Sequence, residues 1–270
     1  MNKIGIILTT FLRDDLMYRI VDSIIKNWKE EYILFVGNQS YQTDEEKLKG
    51  FSDFCLHLND PAHLVSDKIQ YYNLPYDCGL SYARNFLCQK AHESGCNYIF
   101  LTADSYEFKN YKLDTLMEFL ESDINNGIIG FVEENKTDPN WVWDLELILK
   151  QHFLLKTPKK PIIIYKDLKL QPCEITQNFF LAKTQVVLDS KWDDELKLTE
   201  HEDFFWRLKT KTNYKVFFNK SIQCKYIKDK PNQYNQKRQR IYNTYKKILQ
   251  NKYNIIGWIR TEGKYNANNL

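Results

Sequence analysis

A chain of 270 residues has room for one large domain or a domain with a small appendage. Its 38 basic and 35 acidic residues leave a formal charge of only +3, which argues against a charge-driven nucleic-acid binder. Apolar residues at 43% and aromatics at 15% support a sizeable core and argue against disorder.

Residues 4–8 form a β-branched apolar run that reads as a buried strand. Across 14–28 the apolar residues Leu16, Met17, Ile20, Val21, Ile24 and Ile25 recur at helical spacing. Residues 32–36 are a second strand, closed by the turn Gly37-Asn38-Gln39-Ser40. Residues 44–54 suit a short charged helix, 68–73 a third strand, and 81–92 a helix stopped by Gly95. Residues 98–101 are a fourth strand that runs into Thr102-Ala103-Asp104-Ser105.

The second half is less regular. Residues 133–175 read as a hairpin with surface loops, 178–182 and 215–218 as strands, 221–227 as mixed, and 232–253 as a polar C-terminal helix. No repeat or linker interrupts the chain, so residues 1–270 are read as one domain. Strands alternating with helices predict an α/β fold with a mostly parallel sheet and helices on both faces, its ligand lying beyond the carboxyl ends of the strands. The polar clusters at 9–13, 37–40 and 102–105 each follow a strand and should converge on one edge.

The cysteines Cys55, Cys78, Cys88, Cys96, Cys173 and Cys224 lie far apart without a CxxC pair, so neither a zinc site nor a disulfide framework follows. The apolar opening meets Arg13 and Asp14 too soon for a signal peptide, and no stretch approaches the roughly 18 apolar residues of a membrane span. A reduced, cytoplasmic protein without a transmembrane segment is expected.

Four segments, in order, carry a family likeness. They are Ile6-Ile7-Leu8-Thr9-Thr10-Phe11-Leu12-Arg13; Leu74-Pro75-Tyr76-Asp77-Cys78-Gly79-Leu80-Ser81-Tyr82-Ala83-Arg84-Asn85; Gln177-Asn178-Phe179-Phe180-Leu181-Ala182-Lys183-Thr184; and Trp192-Asp193-Asp194-Glu195-Leu196-Lys197 followed by Glu200-His201-Glu202-Asp203-Phe204-Phe205. Together, over roughly residues 4–226, they resemble GT-A fold glycosyltransferases of the family 2 type, closest to the β-1,4-N-acetylgalactosaminyltransferase branch. The resemblance implies a Rossmann-like mixed, mostly parallel sheet flanked by helices. It implies a nucleotide-sugar half at about 1–110, an acceptor half at about 111–230 and a helical tail at about 231–270. The implied activity is inverting transfer of N-acetylgalactosamine or another hexose from a nucleotide-sugar donor, UDP-linked, to a hydroxyl of a glycan or glycolipid.

On that resemblance, base and ribose meet Thr10, Arg13, Asn38 and Asp77, Arg84 pairs with the diphosphate, and Thr9, Gly79 and Asn85 complete the donor site. Asn38 also suits a plain turn, and Arg84 could instead form an ion pair with Glu93 or an Asp elsewhere. The family's Asp-X-Asp position holds Ala103-Asp104-Ser105, which leaves Asp104 as the carboxylate for Mn²⁺ or Mg²⁺. A later His ligand of the family is replaced by Cys224 or Lys225. Two arrangements follow: weak metal use through Asp104, or a metal-free site using Lys225 and Arg84.

A base for the acceptor hydroxyl is expected in the cluster Glu200, His201, Glu202 and Asp203, although Thr199 with Glu202 also spells a capping box. Trp141, Trp143 and Trp192 are either sugar-stacking platforms or core. The basic patches at 159–160 and 237–240 read as solvated faces or as a touch point for a membrane surface. The runner-up is a catalytically inactive nucleotide- or carbohydrate-binding protein of the same fold.

Overall fold

The structure, a computed structural model, describes residues 3–58, 68–134, 142–148, 151–228 and 233–261. The chain begins with β1 (Ile4–Thr10), α1 (Asp14–Asn27), β2 (Tyr32–Asn38), α2 (Asp44–Leu58), β3 (Ile69–Asn73), α3 (Leu80–Glu93) and β4 (Tyr98–Leu101). The expected elements of this half are all present, with ends that differ by a few residues. β1 lies at the centre, parallel to β2 on one side and to β4 on the other, and β3 adds to β2, also in parallel.

Every residue of β1 is buried, as a strand covered on both faces must be. Ile4, Ile6 and Leu8 pack with Met17, Ile20, Val21 and Ile24 of α1. Ile7, on the opposite face, packs with Leu87, Cys88 and Ala91 of α3. Gly5 lets α3 approach closely, since a Cβ there would lie 2.8 Å from that of Ala91.

The second half contains β5 (Tyr106–Glu107), α4 (Asp114–Glu121), β6 (Asn126–Glu133), β7 (Asp144–Ile148), β8 (His152–Lys156), β9 (Ile163–Tyr165), β10 (Leu168–Cys173) and β11 (Phe180–Lys183). It ends with α5 (Thr184–Ser190), α6 (Glu200–Lys211), β12 (Lys215–Tyr226), α7 (Gln233–Tyr253) and β13 (Gly257–Thr261). The region read as one hairpin with loops contains two antiparallel pairs, β7 with β8 and β9 with β10. β5, α4, β6, α5 and β13 are additions to the expected elements. β12 runs far past its expected end, because a register break lets it bend: Phe218 faces Gly130 of β6, and Gln223 faces Val132.

The main sheet runs β3-β2-β1-β4-β11-β6-β12-β10-β9, with β5 beside the far end of β12. The parallel pairing predicted from the alternation holds through β3-β2-β1-β4 and recurs at β6-β12. β11 enters antiparallel between β4 and β6. A second sheet, β13-β8-β7, uses residues 257–261, so this part of the expected tail is a strand paired with β8. Among the described residues, no helix is long and apolar enough to cross a membrane.

Candidate active site

The carboxyl ends of β1, β2 and β4 converge as the alternation predicts. Thr9, Thr10, Arg13, Gln39 and residues 102–105 line one cleft. The floor of this cleft is cross-linked. Arg13 Nη1 lies 2.8 Å from Asp104 Oδ1, and Thr10 Oγ1 donates to Asp104 Oδ2 at 3.1 Å. Gln39 N donates to the Thr10 carbonyl, tying the second loop to the first. Asp77 sits at the rim, paired with Lys197 at 3.2 Å.

Asn38 does not line the cleft. Its side chain donates to Asp14 and accepts from the Ser40 amide, which is the plain turn reading. Its neighbour Gln39 does line it, and Gln39 Oε1 accepts from the Gly79 amide at 2.8 Å.

The segment around Gly79-Leu80-Ser81 is a clasp on residues 192–200. Gly79 has φ +91, and a Cβ there would lie 2.9 Å from the Lys197 Cα, so both its backbone and its lack of a side chain are needed. Ser81 Oγ donates to the Leu196 carbonyl at 2.6 Å. Asn85 donates to the Trp192 carbonyl and Asp194, and accepts from the Trp192 amide.

Arg84 is 4% exposed and paired with Glu200 at 2.8 Å. It still borders the cleft, but its guanidinium is committed to a carboxylate, so the diphosphate role implied for it gives way to the ion-pair reading, with a different acid. Asn85 is a fastener outside the cleft lining. The motif thus holds the start of α6 in place.

α6 divides its first four residues between two sides. Glu200 borders both the first cleft and a larger groove of about 1070 Å³ beside it, and His201 and Glu202 face that groove. Asn178 Nδ2 reaches Glu200 Oε1 at 3.4 Å, which leaves Asn178 Oδ1 to accept from His201 Nδ1 at 2.9 Å. Burial holds the His201 imidazole down at about 4, with Arg84 and Arg260 acting in the same sense. Burial also pushes the Glu202 carboxyl up to about 7, the charge of Glu200 adding to the shift and Arg260 opposing it.

Asp203 faces the other way and is fully buried. Its carboxylate takes Arg207 at 2.9 Å and both Lys252 and Tyr253 of α7 at 2.6 Å. It fastens two helices together and lies outside both clefts. The expected capping box is also absent. Thr199 sits at φ 62, and its hydroxyl donates to the carbonyls of Leu198 and Tyr245, leaving Glu202 open to the groove.

The roof of the first cleft comes from α7, the polar C-terminal helix expected over 232–253. Tyr234 turns its ring to Arg13, with the guanidinium 4.9 Å from the ring centre. Lys237 Nζ donates to the Tyr76 hydroxyl and stands 4.6 Å from the centre of that ring. Arg238 donates to the Tyr234 hydroxyl at 2.7 Å. The basic patch at 237–240 is therefore partly a wall of the site.

Lys225 lies elsewhere, paired with Glu107 at 3.2 Å on the exposed β5–β12 ribbon. Cys224 is buried, its thiol 3.9 Å from the Val132 carbonyl. Trp143 and Trp192 are core residues, Trp192 stacked on Phe204 at 4.4 Å, while Trp141 lies outside the described residues. The tryptophan that does line the groove is Trp258 of β13, which sequence spacing gave no reason to single out.

The donor set does not suit the divalent cation that the Asp-X-Asp position implies. Both Asp104 oxygens are engaged by Arg13 and Thr10, and the Arg13 charge beside the carboxylate repels a cation. Among the described residues, no group of three or more His, Cys, Asp or Glu side chains could hold a metal ion.

No protein-family profile and no curated protein sequence matches the chain. Solved structures do. Residues 1–349 of TarS from S. aureus match in complex with UDP-GlcNAc, at 11% identity over 85% of this chain and 60% of that chain, TM-score 0.54. The mannosyltransferase PcManGT from Pyrobaculum calidifontis, in complex with GDP-Man and Mn²⁺, matches at 11% identity over 88% of this chain and 60% of that chain, TM-score 0.54. GalNAc-T7 with UDP, GalNAc and Mn²⁺ matches at 11% identity over 84% of this chain and 44% of that chain, TM-score 0.61. The chain thus spans about 60% or less of the length of these solved chains. The fold of this chain is that of the GT-A glycosyltransferases, a mixed sheet flanked by helices.

Proposed function

We propose that the protein is an inverting glycosyltransferase, with a nucleotide-sugar donor, UDP-linked, in the cleft under α7 and a glycan or glycolipid acceptor in the adjoining groove. The observation that carries this reading is the shared wall. Arg13, Asn178, Glu200 and Arg238 border both the cleft and the groove, so two substrates can meet there. The solved structures of the same fold that hold UDP, UDP-GlcNAc or GDP-Man support the donor class.

In this reading the acceptor hydroxyl oxygen attacks the anomeric carbon from the groove side. The bond from that carbon to the diphosphate oxygen breaks, the nucleoside diphosphate leaves, and the hydroxyl proton passes to Glu202. Glu202 suits the role because its carboxylate has no ion-pair partner among the described residues and its pKa, at about 7, matches a base working near neutrality. Glu200 is already neutralised by Arg84, and Asp203 faces away. His201 holds its orientation through Asn178 and Glu200. Trp258, beside Lys246 in the groove, offers a ring for a sugar face.

The test is a thermal-shift panel of UDP, GDP, CDP and TDP followed by turnover of the matching nucleotide sugars. A selective rise in Tm with one nucleotide, and release of that nucleoside diphosphate from its sugar, is the expected result. A selective rise without turnover on any acceptor or water would favour the inactive binding protein. No rise with any nucleotide would overturn the donor assignment.

A further inference from the structure

The cleft under α7 contains more positive charge than its carboxylates can balance. Five cations line it, Arg13, Arg84, Lys197, Lys237 and Arg238, against three carboxylates, Asp77, Asp104 and Glu200. Each carboxylate is paired with one cation: Asp104 with Arg13, Glu200 with Arg84, and Asp77 with Lys197. Lys237 and Arg238 remain, and among the described residues neither has a carboxylate partner. Their polar contacts are the hydroxyls of Tyr76 and Tyr234, and Lys237 also stands 5.2 Å from the ring centre of Phe11.

Two uncompensated positive charges on one wall of a cleft are the electrostatic equivalent of one divalent ion. A departing nucleoside diphosphate needs that compensation, whether from a metal or from fixed cations. The carboxylate positioned to ligate an ion is neutralised by Arg13, and its second oxygen is taken by Thr10.

We propose that Lys237 and Arg238 of α7 hold the donor's diphosphate in the place where a divalent cation would otherwise stand, so that nucleotide binding needs no metal. The assignment rests on the donor-cleft reading above. It replaces Lys225 and Arg84, the cations expected from sequence for a metal-free site. Lys225 lies outside the cleft, and Arg84 is held by Glu200.

The position of these cations depends on a remote fastening. Lys252 and Tyr253, at the other end of α7, are bound to Asp203. Tyr76 and Tyr234 then fix where Lys237 and Arg238 present their charges.

The experiment is calorimetric titration of UDP and GDP, and of uridine and guanosine, into the full-length protein in EDTA and again in Mn²⁺. The diphosphate that binds should do so with the same Kd, within about twofold, in both buffers. Lys237→Met and Arg238→Met should each weaken it by about tenfold, the loss of one charge-assisted contact, and the pair by more, while the nucleoside is unaffected. Lys237→Arg should retain most of the affinity. Raising the salt concentration on the unsubstituted protein gives an independent reading, weakening the diphosphate and sparing the nucleoside.

Diphosphate binding that requires Mn²⁺ would overturn the proposal and leave the glycosyltransferase reading standing. So would a folded double variant that binds as before. Failure of the unsubstituted protein to bind any of the four ligands in either buffer would instead overturn the donor-cleft reading itself.

Discussion

The floor and the roof of the donor cleft are built by different means. The floor consists of loops that follow β1, β2 and β4, and a parallel α/β sheet places such loops together whatever their sequence. The roof is one face of a polar helix that begins more than a hundred residues later and is held down by side chains. Loops fixed by a sheet tolerate substitution until the charge pairs within them are broken. A roof held by a few contacts should lift when one of them is lost.

The largest effect is expected at the roof's anchor. Asp203 is fully buried and serves Arg207, Lys252 and Tyr253 at once. Asp203→Ala takes the buried carboxylate from Arg207 and the Tyr253 hydroxyl and leaves Lys252 with Asp193 alone, and the expected loss is about 3–5 kcal/mol of stability in denaturant unfolding. At temperatures where the variant is still folded, nucleotide affinity should fall as well, although Asp203 touches neither cleft. Unchanged affinity would mean that the roof is held by something other than this contact.

Glu202, one residue earlier on the same helix, should behave in the opposite way. Glu202→Gln is expected to lower kcat by about 10²–10⁴-fold, the usual contribution of a general base. In the unsubstituted enzyme kcat/KM should rise with pH through about 7 and then level, because the base must be ionised. His201, at about 4, cannot supply that limb.

The same shift fixes a sign for stability. A carboxyl whose pKa is about 7 in the folded protein, above the ordinary 4.5, stabilises the fold fully below pH 4.5 and loses that contribution as pH rises to 7. Glu202→Gln should therefore be more stable than the parent at pH 8, by about 1–3 kcal/mol. A variant that is inactive and less stable at that pH would point to a structural role.

How much of this was legible follows the same division. Thr10, Arg13 and Asp104 could be placed together because each follows a strand whose apolar run is plain in the sequence. The partner of Arg84 could not, since Glu200 lies 116 positions away and nothing local selects it over Glu93. Lys237 and Arg238 were hidden for a different reason. α7 buries only Leu249 among its described side chains, so its periodicity marks no inward face. Asp203 and Glu202 were inseparable because the contacts that tell them apart come from Lys252 and Tyr253. β6 carried a readable signal in Ile128-Ile129-Gly130-Phe131-Val132, whereas β13 depends on pairing with β8 a hundred residues earlier.

On the floor, the pair of Arg13 and Asp104 admits a double-mutant test. Arg13→Met alone takes from the Asp104 carboxylate the guanidinium 2.8 Å away, and Asp104→Asn alone takes that charge from Arg13. The double variant removes both charges together. The expected coupling energy is about 1–3 kcal/mol in unfolding measurements. Additive losses would show that the two are not a unit, and would return Asp104 to the pool of metal ligands.

The smallest effect is expected at Lys225, one of the two cations that the family resemblance offers to the diphosphate in a metal-free site. Its side chain is 57% exposed and that of its partner Glu107 38% exposed, their charged atoms 3.2 Å apart on an outer ribbon. Surface pairs of this kind contribute little, so Lys225→Ala should change stability by less than about 0.5 kcal/mol and leave nucleotide affinity alone. Measured beside Lys237→Met, it separates two locations for the donor's negative charge with the loss of one ammonium in each case. If the Lys225 variant loses affinity and the Lys237 variant does not, the diphosphate lies toward β12, and α7 is a cover rather than a binding wall.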